Sequence, residues 1–181
     1  PGKQVEPAHR LDRRTSGIVA FAKTKTSLAS LYEAFRMRSV TKVYWAVVDK
    51  QPEPAAGTLR HRLVHDKRRN VSKALPTDCA DCPDVAELSY ELVGKSDRFF
   101  LVEVKPLSGK THQIRAQLAA EGMPVRGDLK YGARRSTHNG MIMLHARQLS
   151  FELKGGKRIN LVAEPPSDEP LWSAFGDMLP N

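Results

Sequence analysis

AELSYELVGKSDRFFLVEVKP, residues 86–106, is two β-forming runs around a Gly-Lys-Ser-Asp turn at 94–97. That pattern predicts an antiparallel hairpin. A second hairpin is predicted downstream, where MIMLHARQLSFEL (141–153) and KRINLVAEP (157–165) are joined by glycines. Upstream, TKVYWAVVD (41–49) is β-branched and aromatic. It reads as a strand with Val43, Trp45 and Val47 on one face and Lys42 and Tyr44 on the other. SGIVAFAKT (16–24) also predicts a strand, residues 58–65 a short one, and residues 66–83 a surface loop. The prolines and glycine of QPEPAAG (51–57) predict a turn.

Two substantial helices are expected. Leu28, Leu31, Tyr32 and Phe35 fall at helical spacing behind a Ser/Thr cluster able to cap them. THQIRAQLAAEG (111–122) reads as a second helix closed by Gly122. Residues 166–178 predict a short terminal helix. Long hairpin-connected strands with few helices specify an α+β fold, and no regular strand–helix alternation supports a doubly wound parallel sheet. With no repeat and no dividing linker, the chain is expected to form one domain over residues 1–181.

The composition narrows the partners. Hydrophobic residues make up 40% and the mean hydropathy is -0.45, as in an ordinary globular chain. No apolar run reaches the ~18 residues that a membrane helix needs, and no secretory leader pattern is present. The formal charge of +9 and pI of about 9.8 favour polyanions, nucleic acid first among them. Aromatic residues are only 7%, so a broad base-stacking platform is not expected. Two cysteines do not make a disulfide-scaffolded secreted domain, and a reducing cytosol is the expected compartment.

Four stretches carry chemistry. HRLDRRTSG (9–17) sets Asp12 among Arg10, Arg13 and Arg14, beside a Thr-Ser-Gly turn. On its own such a carboxylate is better explained by a surface ion pair. KVYWAVV (42–48) carries Lys42 and Tyr44. PLSGKTHQIRAQLAAEGMPVRGDLKYG (106–132) carries Lys110, His112, Ile114 and Arg115, and LHARQLSFEL (144–153) is the fourth. In this order, and with the tail EPPSDEPLWSAF, they resemble the RluA-type family of pseudouridine synthases over nearly the whole chain. Two departures stand out: Lys110 takes the place of a more usual arginine, and only eight residues precede HRLD where the family has strands.

The resemblance implies an α+β pseudouridine synthase catalytic fold, a mainly antiparallel mixed sheet flanked by helices. It implies an isomerase that converts uridine to pseudouridine in rRNA or tRNA, without metal or organic cofactor, as a monomer; the cysteine count makes the expected compartment cytoplasmic. It places catalysis on Asp12, Tyr44 and Arg115. Arg10, Lys42, Lys110, His112 and Ile114 would then meet the substrate, Arg10 filling the gap left by a flipped uridine. A buried carboxylate needs a fixed cation to stay ionised, and Arg115 is the expected one. Arg115→Met is therefore expected to lose activity while still folding.

Other readings remain at this stage. His61, His65, Cys79 and Cys82 offer four zinc ligands, a nucleic-acid-binding alternative with an unusual ligand order. A noncatalytic RNA-binding module of the same fold is another. HRLD is also similar to a kinase His-Arg-Asp, but neither Asp-Phe-Gly nor a glycine-rich phosphate loop accompanies it. Lys67, Arg68 and Arg69 form a basic run that reads equally as solvated surface and as a phosphate track.

Overall fold

The structure, a computed structural model, describes residues 5–79, 82–153 and 156–176. In chain order it contains β1 (Glu6–Pro7), β2 (Ser16–Gly17), β3 (Phe21–Ala22), α1 (Lys25–Arg36) and β4 (Thr41–Val48). There follow β5 (Ala56–Asp66), β6 (Val71–Leu75), β7 (Val85–Lys95), β8 (Phe100–Pro106) and α2 (Gln113–Ala120). The last elements are β9 (Leu144–Glu152), β10 (Arg158–Val162) and α3 (Pro170–Ser173).

One eight-stranded sheet organises these elements. Its order is β10-β9-β4-β8-β7-β5-β6, with β2 added beside β9. Every pairing along that order is antiparallel, and only β2 runs parallel to its neighbour. The sheet is mixed, mainly antiparallel and flanked by helices, as expected. Both predicted hairpins form, β7–β8 and β9–β10. Among the described residues, no helix is long and apolar enough to cross a membrane.

β4 lies near the middle of the sheet, and consecutive residues Trp45, Ala46, Val47 and Val48 are all essentially inaccessible. Both of its faces are therefore covered, and Trp45 also carries the Arg147 guanidinium 4.4 Å from its ring centroid. The main core joins β4, β7 and β8 to Ile114 and Leu118 of α2 and to Trp172 and Phe175 near the chain's end. A smaller core packs Leu31 and Ala34 of α1 against Leu149 and Phe151 of β9. Thr24 caps α1 reciprocally with Ser27. Gly122, at φ 70, lets Met123 N–H reach back to Leu118 C=O and close α2.

Three expectations change. Residues 16–24 do not form one strand, because the segment serves two partners: β2 joins β9 and β3 joins β1. Gly17, at φ 111, makes that switch, and a Cβ there would lie 2.3 Å from Ala146 O. The expected loop at 66–83 contains strand β6, an edge strand with polar Ser72 and Lys73, whose single neighbour demands no strong apolar alternation. Its hairpin turn is set by Asp66 Oδ1, which accepts from Arg69 N–H at 3.1 Å, and by Asn70 in the left-handed region.

The third change concerns the cysteines. Cys79 and Cys82 form a disulfide, with Cα atoms 5.8 Å apart, so they are a local clip rather than two free thiols. The Ala80 and Asp81 between them, Gly155 of the second hairpin link, and residues 177–178 of the expected terminal helix lie outside the described residues.

Candidate active site

The Asp12 loop is held by hydrogen bonds on both sides. Thr15 N–H donates to Asp12 C=O at 2.9 Å, closing a tight turn, and Ile142 N–H donates to Arg14 C=O at 3.0 Å. Ser16 then pairs with His145 in the β2–β9 bridge. His145 Nε2 faces Ala163 C=O at 2.9 Å, so it carries the proton, and Nδ1 accepts from the Ser16 hydroxyl at 2.9 Å. Burial lowers the His145 pKa and keeps that ring neutral. The Thr-Ser-Gly sequence thus anchors the turn that presents Asp12.

Arg115 reaches Asp12 from α2. The helix starts after His112, which sits in the left-handed region at φ 54, and all of its residues from Gln113 to Leu118 are buried. Arg115 Nη1 donates to Asp12 Oδ2 at 3.1 Å. Its other edge forks onto Asp128, with Nε to Oδ2 at 2.6 Å and Nη2 to Oδ1 at 2.9 Å. The guanidinium also packs 4.8 Å from the Tyr131 ring centroid. Burial works against its charge, yet Asp128 and Asp12 outweigh that and raise the Arg115 pKa.

Asp128 is only 2% exposed. It occupies a turn after Gly127, where φ is 85 and a Cβ would meet Met141 O at 2.8 Å. Tyr131, three residues on, accepts from Ser72 N–H at 2.8 Å and lies 2.9 Å from His112 Nδ1. With the phenol proton directed to Nδ1, a neutral His112 carries its own proton on Nε2. That nitrogen faces Asp12 Oδ1 at 3.9 Å. Burial, which outweighs Asp12, lowers the His112 pKa.

Asp12, His112 and Arg115 border a cleft of about 510 Å³. All eight residues picked from the sequence line it: Arg10, Asp12, Lys42, Tyr44, Lys110, His112, Ile114 and Arg115. Arg10 is exposed at its mouth, whereas Ile114 belongs to the core and to the cleft wall at once. Lys42 Nζ donates to Ser108 C=O and Lys110 Nζ to Pro83 C=O, both at 2.8 Å. Burial, with Asp12 adding to it, pushes the Tyr44 phenol up to about 12. Asp128 and Tyr131, which clamp Arg115 from behind, were not picked out by sequence reasoning. Their signal was the Gly-Asp…Tyr-Gly part of the third stretch.

The zinc reading does not survive. His61 is buried against Gln117 and Glu121, its Nε2 3.2 Å from Glu121 Oε1, while His65 Nδ1 bonds the Ser72 hydroxyl. Cys79 and Cys82 are consumed by their disulfide. No three metal-ligating side chains converge among the described residues.

The cleft is thus cationic, with one carboxylate fixed by a buried arginine. The family model described as RNA pseudouridylate synthase matches residues 2–120. The chain belongs to that family. It is 33% identical over 168 residues to a ribosomal large subunit pseudouridine synthase C of Rickettsia prowazekii, covering 91% of this chain and 55% of that protein. It is 32% identical to an uncharacterized RNA pseudouridine synthase of Zymomonas mobilis, covering 94% and 74%. The solved structure of human RNA pseudouridylate synthase domain containing 1 superposes with a TM-score of 0.77 at 26% identity, covering 93% and 72%. The chain spans just over half the length of the first of these relatives.

Proposed function

We propose that this protein is an RNA pseudouridine synthase, an isomerase whose catalytic carboxylate is Asp12. The pairing of Asp12 with Arg115 inside the cleft carries the reading. The reaction breaks the N1–C1′ bond of uridine, turns the uracil, forms the C5–C1′ bond, and moves the C5 proton away while N1 gains one. It is redox-neutral. Asp12 serves either route to the cleavage, attack on C6 of the base or assistance to glycal formation at the sugar. Arg115 pairs with it and orients it.

Tyr44 is given the role of a stacking wall for the uracil. A phenol held at about 12 keeps its proton at neutral pH and is poorly matched to act as the base at C5. Arg10 fills the vacated stack, and Lys42, Lys110, His112 and Ile114 border the flipped nucleotide. Large-subunit rRNA is the first substrate to test, since relatives are named for it, with tRNA the second. The resemblance further supports a monomer, and the scarcity of cysteines a cytoplasmic compartment. Tritium release from RNA labelled with 5-tritiated uridine tests the activity, and an inert protein that still binds RNA would leave the noncatalytic module. Pseudouridine mapping in cells lacking the gene then identifies the site.

Two further results are expected. Lys67, Arg68 and Arg69 are exposed, make no salt bridge among the described residues, and sit in the β5–β6 turn. Lys130 Nζ ties that turn to the Tyr131 segment through Arg69 C=O (3.3 Å) and Asn70 C=O (3.1 Å). Replacing all three with glutamine should flatten the slope of log affinity for RNA against log salt by about 2. An unchanged slope would return them to solvated surface.

The second concerns pH. Burial, with Arg38 adding to it, lowers the Lys42 ammonium to about 8. Lys42 is therefore charged below that pH and neutral above it, while neighbouring His9, lowered mainly by burial, stays neutral throughout. RNA affinity at fixed salt should fall as pH rises through about 8. Lys42→Met should abolish that step, and a step of wild-type size in the variant would assign it elsewhere.

A further inference from the structure

The end of α1 is built in an unusual way. Ser39 N–H bonds Ala34 C=O at 3.0 Å and Arg38 N–H bonds Phe35 C=O at 3.2 Å, the hydrogen-bond pair that closes a helix through a left-handed residue. Glycine is the usual occupant of that position, yet here it is Arg38, at φ 55. A strained arginine where glycine fits better suggests a task for its side chain.

That side chain borders two concavities. One is the cleft already described, and the other, of about 260 Å³, adjoins it. Their common wall is Arg38, Val40, Lys42, Pro106 and Leu107. Neither Arg38 nor Lys42 forms a salt bridge among the described residues. The nearby cations differ: Arg36 forks onto Glu33 at 2.6 and 2.9 Å, and Lys105 pairs with Glu103 at 2.7 Å. Arg38 even lowers the charge affinity of Lys42, so the two repel. Two cations held together with no carboxylate between them make a site for an outside anion.

Resting on the RNA-isomerase reading, we propose that Arg38 and Lys42 bind the phosphodiester joining the target uridine to an adjacent nucleotide, whose nucleoside occupies the second concavity. A strand that places one base in the cleft and the next in the side concavity must cross their shared wall. Its backbone supplies one negative charge there, which relieves the repulsion between the two cations. Arg38 is then a substrate-positioning residue that reads the chain flanking the reactive uridine.

The test uses a fluorescein-labelled 12-nucleotide RNA with one central uridine, alongside copies carrying a neutral methylphosphonate on its 5′ or its 3′ side. Arg38→Gln should weaken binding about tenfold, as for one charge-assisted contact, and flatten the salt slope by about 0.7. Arg36→Gln, already neutralised by Glu33, should change neither. One of the two methylphosphonates should weaken the wild type about tenfold and Arg38→Gln no further. Arg38→Gly relieves the backbone strain, so it should melt at the wild-type temperature or higher while binding RNA as weakly as Arg38→Gln. A wild-type salt slope in Arg38→Gln, or equal methylphosphonate effects in both proteins, overturns the phosphate site while tritium release by the wild type upholds the enzyme. A wild type that binds no RNA overturns both.

Discussion

Asp12→Asn is expected to abolish tritium release, by on the order of 10⁴-fold, while the protein folds and holds RNA at least as tightly as before. The substitution is nearly isosteric, and its side chain is 19% exposed, so little packing is lost. Arg115 keeps its fork onto Asp128 and is not left unpaired. Removing one negative charge from a cleft lined by Arg10, Lys42 and Lys110 lowers the repulsion that a polyanion meets there. Loss of turnover with affinity retained separates a catalytic carboxylate from a structural one. A variant within tenfold of the wild-type rate would remove Asp12 from the chemistry.

The second large effect belongs to Arg115→Met. From the sequence, this change was expected to lose activity and some stability while still folding. The structure adds that the same guanidinium serves Asp128, which is almost wholly buried. Removing the cation leaves that carboxylate unpaired, at a cost of about 3–5 kcal/mol. For a chain of this size the melting temperature should fall by roughly 10 °C, still compatible with a folded protein at room temperature. Activity should be lost as in Asp12→Asn, because Asp12 loses its orienting partner. Adding Asp128→Asn should recover much of the melting temperature and none of the activity. Recovery of turnover in that double variant would show that Arg115 acts only as scaffold.

The parts of the fold legible beforehand were those where one residue pattern has one partner. The β7–β8 run alternates around a defined turn, and α1 repeats its apolar residues at helical spacing behind a cap. Strand β6 was hidden because its most buried residue is the polar Ser72, held by hydrogen bonds to Tyr131 and Thr111, so no apolar alternation marks it. Residues 16–24 misled in the opposite direction: their apolar content is real, but Gly17 divides it between two sheets.

The site was legible only through the resemblance, since nothing in local spacing joins Asp12 to Arg115. The matching Gly-Asp block contained a second carboxylate, Asp128, whose role was not drawn from it. A guanidinium has five donors, and one aspartate accepts only part of them. A buried Arg115 therefore called for another acidic partner, and Asp128 behind a glycine turn is that partner.

The parallel bridge of Ser16–Gly17 onto His145–Ala146 has a consequence in time. The carboxylate loop lies near the start of the chain described here, but the strand that immobilises it comes some 130 residues later. During synthesis the loop must wait, with the central strands already made and their edges unpaired. Contacts so distant in sequence are slow to form, because loop closure costs entropy before any contact rewards it. The loop that carries Asp12 is thus locked in place only after β9 has been made.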